Sequence, residues 1–126
     1  MKKILSPNAP LPGGHYSQAT VHNNTVYVSG LLPIRIGSPP DSSLSFEDQV
    51  ELVLNHLEAI LIEAGSSPDK VLKVSIFVSD IANWPKVDKV YKGFFGEHKP
   101  ARIVVPVKDL HFGFGVEIDA IAAVGS

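Results

Sequence analysis

The sequence predicts an α+β domain: a mixed sheet with two helices packed on one of its faces. Three observations predict it. Two stretches, Val50 to Ala64 and Trp84 to Phe94, carry apolar residues at helical spacing. Val71 to Val78 alternates residue by residue like a half-buried strand. β-branched runs lie on both sides of these elements, and two of them are separated only by Asn23-Asn24. Helices interleaved with neighbouring antiparallel strands form a two-layer structure. A chain of 126 residues holds one core, and without an internal repeat or long linker residues 1–126 read as a single domain.

Taken in order, Ser6 to Gly14 holds three prolines and two glycines, which predicts an irregular lead-in running over the surface. Thr20 to His22 and Thr25 to Ser29 flank Asn23-Asn24, residues that tolerate the positive φ of a tight hairpin. Leu31 to Ile36 reads as a further short strand, broken by Gly37-Ser-Pro-Pro-Asp. Ser45 is positioned to cap a helix with acids in its first turn, and Gly65 to stop it. Its buried stripe is Val50, Val53, Leu54, Leu57, Leu61 and Ala64, with Glu51, Asn55, Glu58 and Ile62 facing away. In the following strand Leu72, Val74, Ile76 and Val78 form the apolar set. Asn83 is expected to cap the second helix, Pro85 suits its first turn, and Trp84, Val87, Val90, Tyr91 and Phe94 supply its stripe up to Gly96. Arg102 to Val107 and Val116 to Val124 complete the sheet, joined by Leu110-His-Phe-Gly-Phe-Gly.

Net charge is −2, and the 11 Lys and Arg residues are scattered, so no basic stripe offers itself to nucleic acid. With no cysteine, disulfides, thiolate nucleophiles and Cys-ligated metals are excluded. No apolar run approaches the ~20 residues that span a bilayer, so no membrane partner is expected and the reading is cytoplasmic, with an organelle such as the mitochondrion left open. The five histidines lack the His-x-x-x-His spacing of a metal site, and Gly113-Phe-Gly115 lacks the loop of a dinucleotide fingerprint.

Two charged positions stand out. Arg102 opens a strongly apolar strand, where a planar guanidinium can grip a carboxylate through two parallel hydrogen bonds; a salt bridge at a strand end is the plainer role. Glu117 and Asp119 share one face of the last strand, where a carboxylate faces either solvent or a cleft in which it handles water and protons. Tyr16, Ser29 and His111 border loops or strand ends, and hairpin structure alone explains the first two.

Several segments, in order, resemble one family across nearly the whole chain. Gly14-His-Tyr-Ser-Gln-Ala resembles a GPYSQA segment, and Val26-Tyr-Val-Ser-Gly-Leu-Leu-Pro a strand ending in SGQIP. Ala64 to Asp80 resembles AGSSLDNVVKTTVFLTD, Pro100-Ala-Arg matches a PAR block, and Val116-Glu-Ile-Asp-Ala-Ile-Ala resembles one containing EIEAIA. On these motifs the chain is identified as a member of the RidA/YjgF family of enamine and imine deaminases.

The resemblance implies a chorismate-mutase-like homotrimer with active sites between subunits. It implies hydrolysis of 2-aminoacrylate and 2-iminopropanoate-like imino acids to 2-oxo acids and ammonia, without a cofactor. Carried across, Arg102 matches the carboxylate clamp, Glu117 the acid that positions or activates water, Tyr16 and Ser29 cleft-lining residues, and Gly30 and Val104 backbone amides that contact the ligand. His15, Leu31 and Ile103 depart from the family's proline, glutamine and small polar residue, and His111 to Gly115 departs from its Leu-Pro-Lys-Gly connection. These departures point to a more apolar cleft and to a longer or more hydrophobic substrate. They also keep open a non-enzymatic regulator that binds a small carboxylic acid, whereas the acidic balance disfavours RNA cleavage.

Overall fold

The computed structural model describes residues 1–125. Its elements are β1 (Lys2–Ile4), β2 (Ala19–His22), β3 (Thr25–Leu31), α1 (Phe46–Glu63), β4 (Val71–Val78), α2 (Trp84–Phe95), β5 (Ala101–Pro106) and β6 (Val116–Ala123). The strands form one mixed sheet in the order β1-β2-β3-β6-β4-β5, in which β4 and β5 pair in parallel and the other neighbours antiparallel. The last strand therefore enters the middle of the sheet and leaves β5 at an edge. Both helices lie on one face, as the two-layer pattern requires.

Local chemistry explains the elements. Asn23 and Asn24 take φ of 50° and 62°, closing the β2–β3 hairpin. Ser45 Oγ accepts the Asp48 N–H at 3.1 Å and starts α1, and Gly65, at φ 81°, ends it. The expected stripe of α1 is buried throughout, while Ile62 is 62% exposed. Each fully buried Leu, Ile or Val contributes about 1.5–3 kcal/mol of transfer free energy. Leu54, Leu57 and Leu61 meet Val26, Val74, Ile76 and Ile118 in one core.

One strand is added and four expectations are corrected. Lys2–Ile4 forms a strand, because an antiparallel partner in β2 satisfies its backbone. The lead-in has no helix or strand, yet Ser6 and Ala9 are buried, anchored by Gln18, whose amide binds the Ser6 N–H, the Ser6 carbonyl and the Pro10 carbonyl. Leu31 ends β3, and Leu32–Ile36 is not a strand: the Ile34 N–H turns back to the Leu32 carbonyl at 2.8 Å. In β4 the register shifts between Val71 and Lys73, so Val71 is buried and Leu72 is 52% exposed. Asn83 precedes α2 but makes no side-chain cap; Asp80 instead caps the preceding turn through the Ala82 N–H.

Candidate functional site

The pairing register assigns each candidate to a face. Arg102 on β5 is level with Val74 on β4, which is level with Ala120 on β6. Val74 and Ala120 are buried, so Arg102 and Val104 lie on the helix-covered face. Glu117 pairs with Phe77, and Asp119 with Ser75, on the open face. Arg102 and Glu117 thus project from opposite faces, and one chain does not bring them together.

On the helix side, Arg102 Nη1 donates to Asp88 Oδ1 at 3.0 Å, and its guanidinium carbon lies 5.1 Å from the Trp84 ring centre and 4.8 Å from that of Tyr91. Cation–π contact and the ion pair hold the fork against α2. The strand-end salt bridge therefore exists, but it does not exhaust a group with five N–H donors. The Arg102 side chain is 21% exposed and borders a cavity of about 400 Å³ shared with Asp88, Tyr91, His98 and Lys99. The neighbouring guanidinium holds the Asp88 carboxyl below its usual range. The Tyr91 hydroxyl, buried without a hydrogen-bond partner among the described residues, is pushed up to about 12 by burial, against an opposing pull from Arg102.

On the other side, a bulge interrupts β3. Between the Val28–Ala120 and Leu31–Ile118 pairs, Ser29 and Gly30 oppose Asp119 alone. Such bulges re-aim side chains beside functional sites. The Glu117 carboxylate lies where a Cβ on Gly30 would stand, so only glycine permits this approach. Burial, then the Asp119 charge, raises the Glu117 pKa, with His111 opposing. A raised carboxyl pKa beside a cavity is how proton-transfer groups are tuned toward neutral pH.

That cavity, about 320 Å³, is lined by Tyr16, Ser29, Gly30, Leu31, His111 and Phe112 among others. Ser29 Oγ donates to the Ser17 carbonyl at 2.6 Å, and the Tyr16 hydroxyl accepts the Gly13 N–H at 3.3 Å. Phe112 has φ 60° and ψ 13°, a left-handed conformation that costs a residue bearing a Cβ about 1–2 kcal/mol.

The structure thus gathers Tyr16, Ser29, Gly30 and Glu117 on one side, with Arg102 apart from them. Val104 is half-buried against the core. Trp84, expected in the core, is 38% exposed and rests against Arg102 instead. Asp88 was not singled out by the sequence reading; its spacing from Trp84 put both on one helix face, but nothing local aimed that face at Arg102. Among the described residues no group of three or more His, Asp or Glu side chains is placed to hold a metal, and no helix is long and apolar enough to cross a membrane.

The family model described as Endoribonuclease L-PSP matches residues 6–124. A RutC family protein of Pyrococcus horikoshii is 38% identical, with 97% of this chain and 98% of that protein covered. A protein of Dermatophagoides farinae named 2-iminobutanoate/2-iminopropanoate deaminase is 33% identical, covering 98% of this chain and 97% of its own. The crystal structure of E. coli TdcF with bound serine superposes with a TM-score of 0.91 at 32% identity, covering 99% of this chain and 100% of that one.

Proposed function

Because the chain belongs to the Endoribonuclease L-PSP family, the RidA/YjgF family, we propose that it hydrolyses reactive enamines and imines of the 2-aminoacrylate and 2-iminopropanoate kind to 2-oxo acids and ammonia. The observation that carries this reading is the division of the site. An arginine fork stands beside a cavity at one sheet edge, and on the opposite face a carboxylate of raised pKa lies against Gly30, which lines a second cavity. A second copy that sets its Arg102 edge against the Glu117 side completes the site, and a homotrimer contains three such clefts.

The chemistry is economical. Arg102 grips the substrate carboxylate through its unoccupied N–H donors and orients an imine carbon that is already electrophilic. Glu117 accepts a proton from water as the oxygen bonds to that carbon, then returns it to nitrogen. On the protonated imine that return makes the nitrogen –NH3⁺; the C–N bond breaks, ammonia leaves with the bonding pair, and the hydroxyl proton passes to solvent, giving the 2-oxo acid. An enamine enters by protonation at its β-carbon. Arg102, Glu117 and Tyr16 act through side chains; Gly30 and Val104 offer backbone amides, and Ser29 shapes the bulge.

Mixed oligomers test the reading. Arg102→Ala and Glu117→Gln proteins are each expected to lose imine hydrolysis, measured with an amino-acid oxidase supplying the imine. Unfolding and refolding them together should restore part of the activity, because some clefts then combine an intact arginine with an intact glutamate. No recovery in correctly assembled mixtures counts against a shared site. The serine held by TdcF also fits a binding module; saturable calorimetric binding of a 2-oxo acid without turnover would favour that second reading.

A further inference from the structure

The cavity beside Glu117 is apolar in a particular way. Leu11, Leu31, Leu32, Ile34 and Phe112 form much of its wall. Of its four polar side chains, Gln18 and Ser29 are engaged by the protein itself, the Tyr16 hydroxyl accepts the Gly13 N–H, and the His111 ring lies against Phe112. The Gln18 amide accepts the Ser6 N–H at 2.6 Å and donates to the Ser6 and Pro10 carbonyls at 3.1 and 3.0 Å. Ser29 Oγ donates to the Ser17 carbonyl. A hydroxyl or amide on a substrate side chain would lose water against this apolar wall and find spare partners only at the Tyr16 hydroxyl and the His111 ring near the rim, whereas an apolar group loses nothing. A methyl group would cover little of the apolar wall that Leu11, Leu31, Leu32, Ile34 and Phe112 present.

Phe112 adds an independent observation. A bulky residue in the left-handed region is uncommon, and strained positions of this sort persist where the surroundings hold them, often at ligand clamps. Here the His111 ring lies 3.6 Å from the Phe112 ring, centre to centre, and Phe114, which is buried, meets it edge-on at 6.2 Å. The Phe112 ring is half exposed and lines the cavity.

We propose that this cleft takes 2-imino acids bearing a large apolar side chain, branched aliphatic or aromatic, and that Phe112 is a specificity-determining residue for them. The inference rests on the deaminase reading above and narrows its substrate class.

The test compares imines generated by an amino-acid oxidase from alanine, leucine and phenylalanine. The leucine- and phenylalanine-derived imines should exceed the alanine-derived one in kcat/KM by roughly tenfold or more, since even one methylene in an apolar pocket discriminates by about that factor. As a measurement independent of any variant, 4-methyl-2-oxopentanoate should inhibit at lower concentration than pyruvate. Phe112→Ala should shrink both ratios. Equal or reversed preference in the unaltered protein overturns the substrate class while leaving deamination standing; unchanged ratios in Phe112→Ala overturn the role of Phe112. Failure to accelerate the loss of any of the three imines overturns the deaminase reading and this inference together.

Discussion

Asp88 holds Arg102: the carboxylate on α2 accepts Nη1 from the edge strand at 3.0 Å, and so aims a guanidinium that would otherwise sweep a wide arc. Lys92, one turn on, shares the same carboxylate at 3.3 Å. If Arg102 is the clamp, Asp88 is a positioning residue. Asp88→Ala should raise KM roughly tenfold, the lower end for a charge-assisted bond, because the carboxylate is a quarter exposed. It should change kcat less. Asp88→Asn, which keeps an acceptor, should recover part of the loss. Steady-state kinetics with KM unchanged in the alanine variant would remove Asp88 from this role.

Arg102 itself should be far less forgiving. Truncating one partner of a desolvated, hydrogen-bonded charge pair costs about 2–5 kcal/mol, so Arg102→Ala should lower kcat/KM on the order of 10²-fold or more. Arg102→Lys should restore little, since an ammonium lacks the planar fork. Light scattering should give the same assembly mass for all three proteins. Near-normal kcat/KM in the alanine variant would refute the clamp.

Glu117 links stability to function. Its folded pKa is raised above the ordinary 4.5, chiefly by burial, so the charged form is disfavoured in the folded protein. This penalty is present at neutral pH and disappears as pH falls through the folded and then the unfolded pKa. Glu117→Gln should therefore unfold at higher denaturant concentration than the unaltered protein near neutral pH, the difference closing below about pH 4. Activity should fall on the order of 10²- to 10⁴-fold. A Gln variant less stable at neutral pH would contradict the assignment.

Gly30 is expected to accept no side chain without displacing the acid. Gly30→Ala should fold, because the residue is exposed, yet lose most activity as its methyl pushes the Glu117 carboxylate aside. Circular dichroism paired with the coupled assay separates the two effects.

His56 anchors the cavity wall from behind, with Nε2 donating to the Ile34 carbonyl at 2.7 Å. Burial depresses its pKa below 6.5, so the unfolded chain takes up a proton first as pH falls. Stability from this group is complete above pH 6.5 and declines as pH drops toward the folded pKa, opposite in sign to Glu117. Urea midpoints should decline from about pH 7.5 to about pH 5.5, and His56→Gln should flatten that slope.

Periodicity carried the α1 stripe and the alternation of β4 and β6, and turn chemistry at Asn23-Asn24 carried the hairpin, because each depends on neighbours within a few residues. It misplaced Leu72, since a one-residue bulge shifts register without leaving a mark in the pattern. Likewise, β1 is a strand only because β2 offers it a partner. Arg102 and Glu117 stood out as charges in apolar strands, while Tyr16, Ser29, Gly30 and Val104 became candidates through the family resemblance. That Arg102 leans on Asp88 and Trp84, and stands on the face opposite Glu117, was decided only when β6 threaded between β3 and β4 and left β5 at the edge. Local sequence sets which face each residue shares with its near neighbours. Long-range strand order sets what that face meets, because it is chosen by the burial of the whole core and not by any one segment.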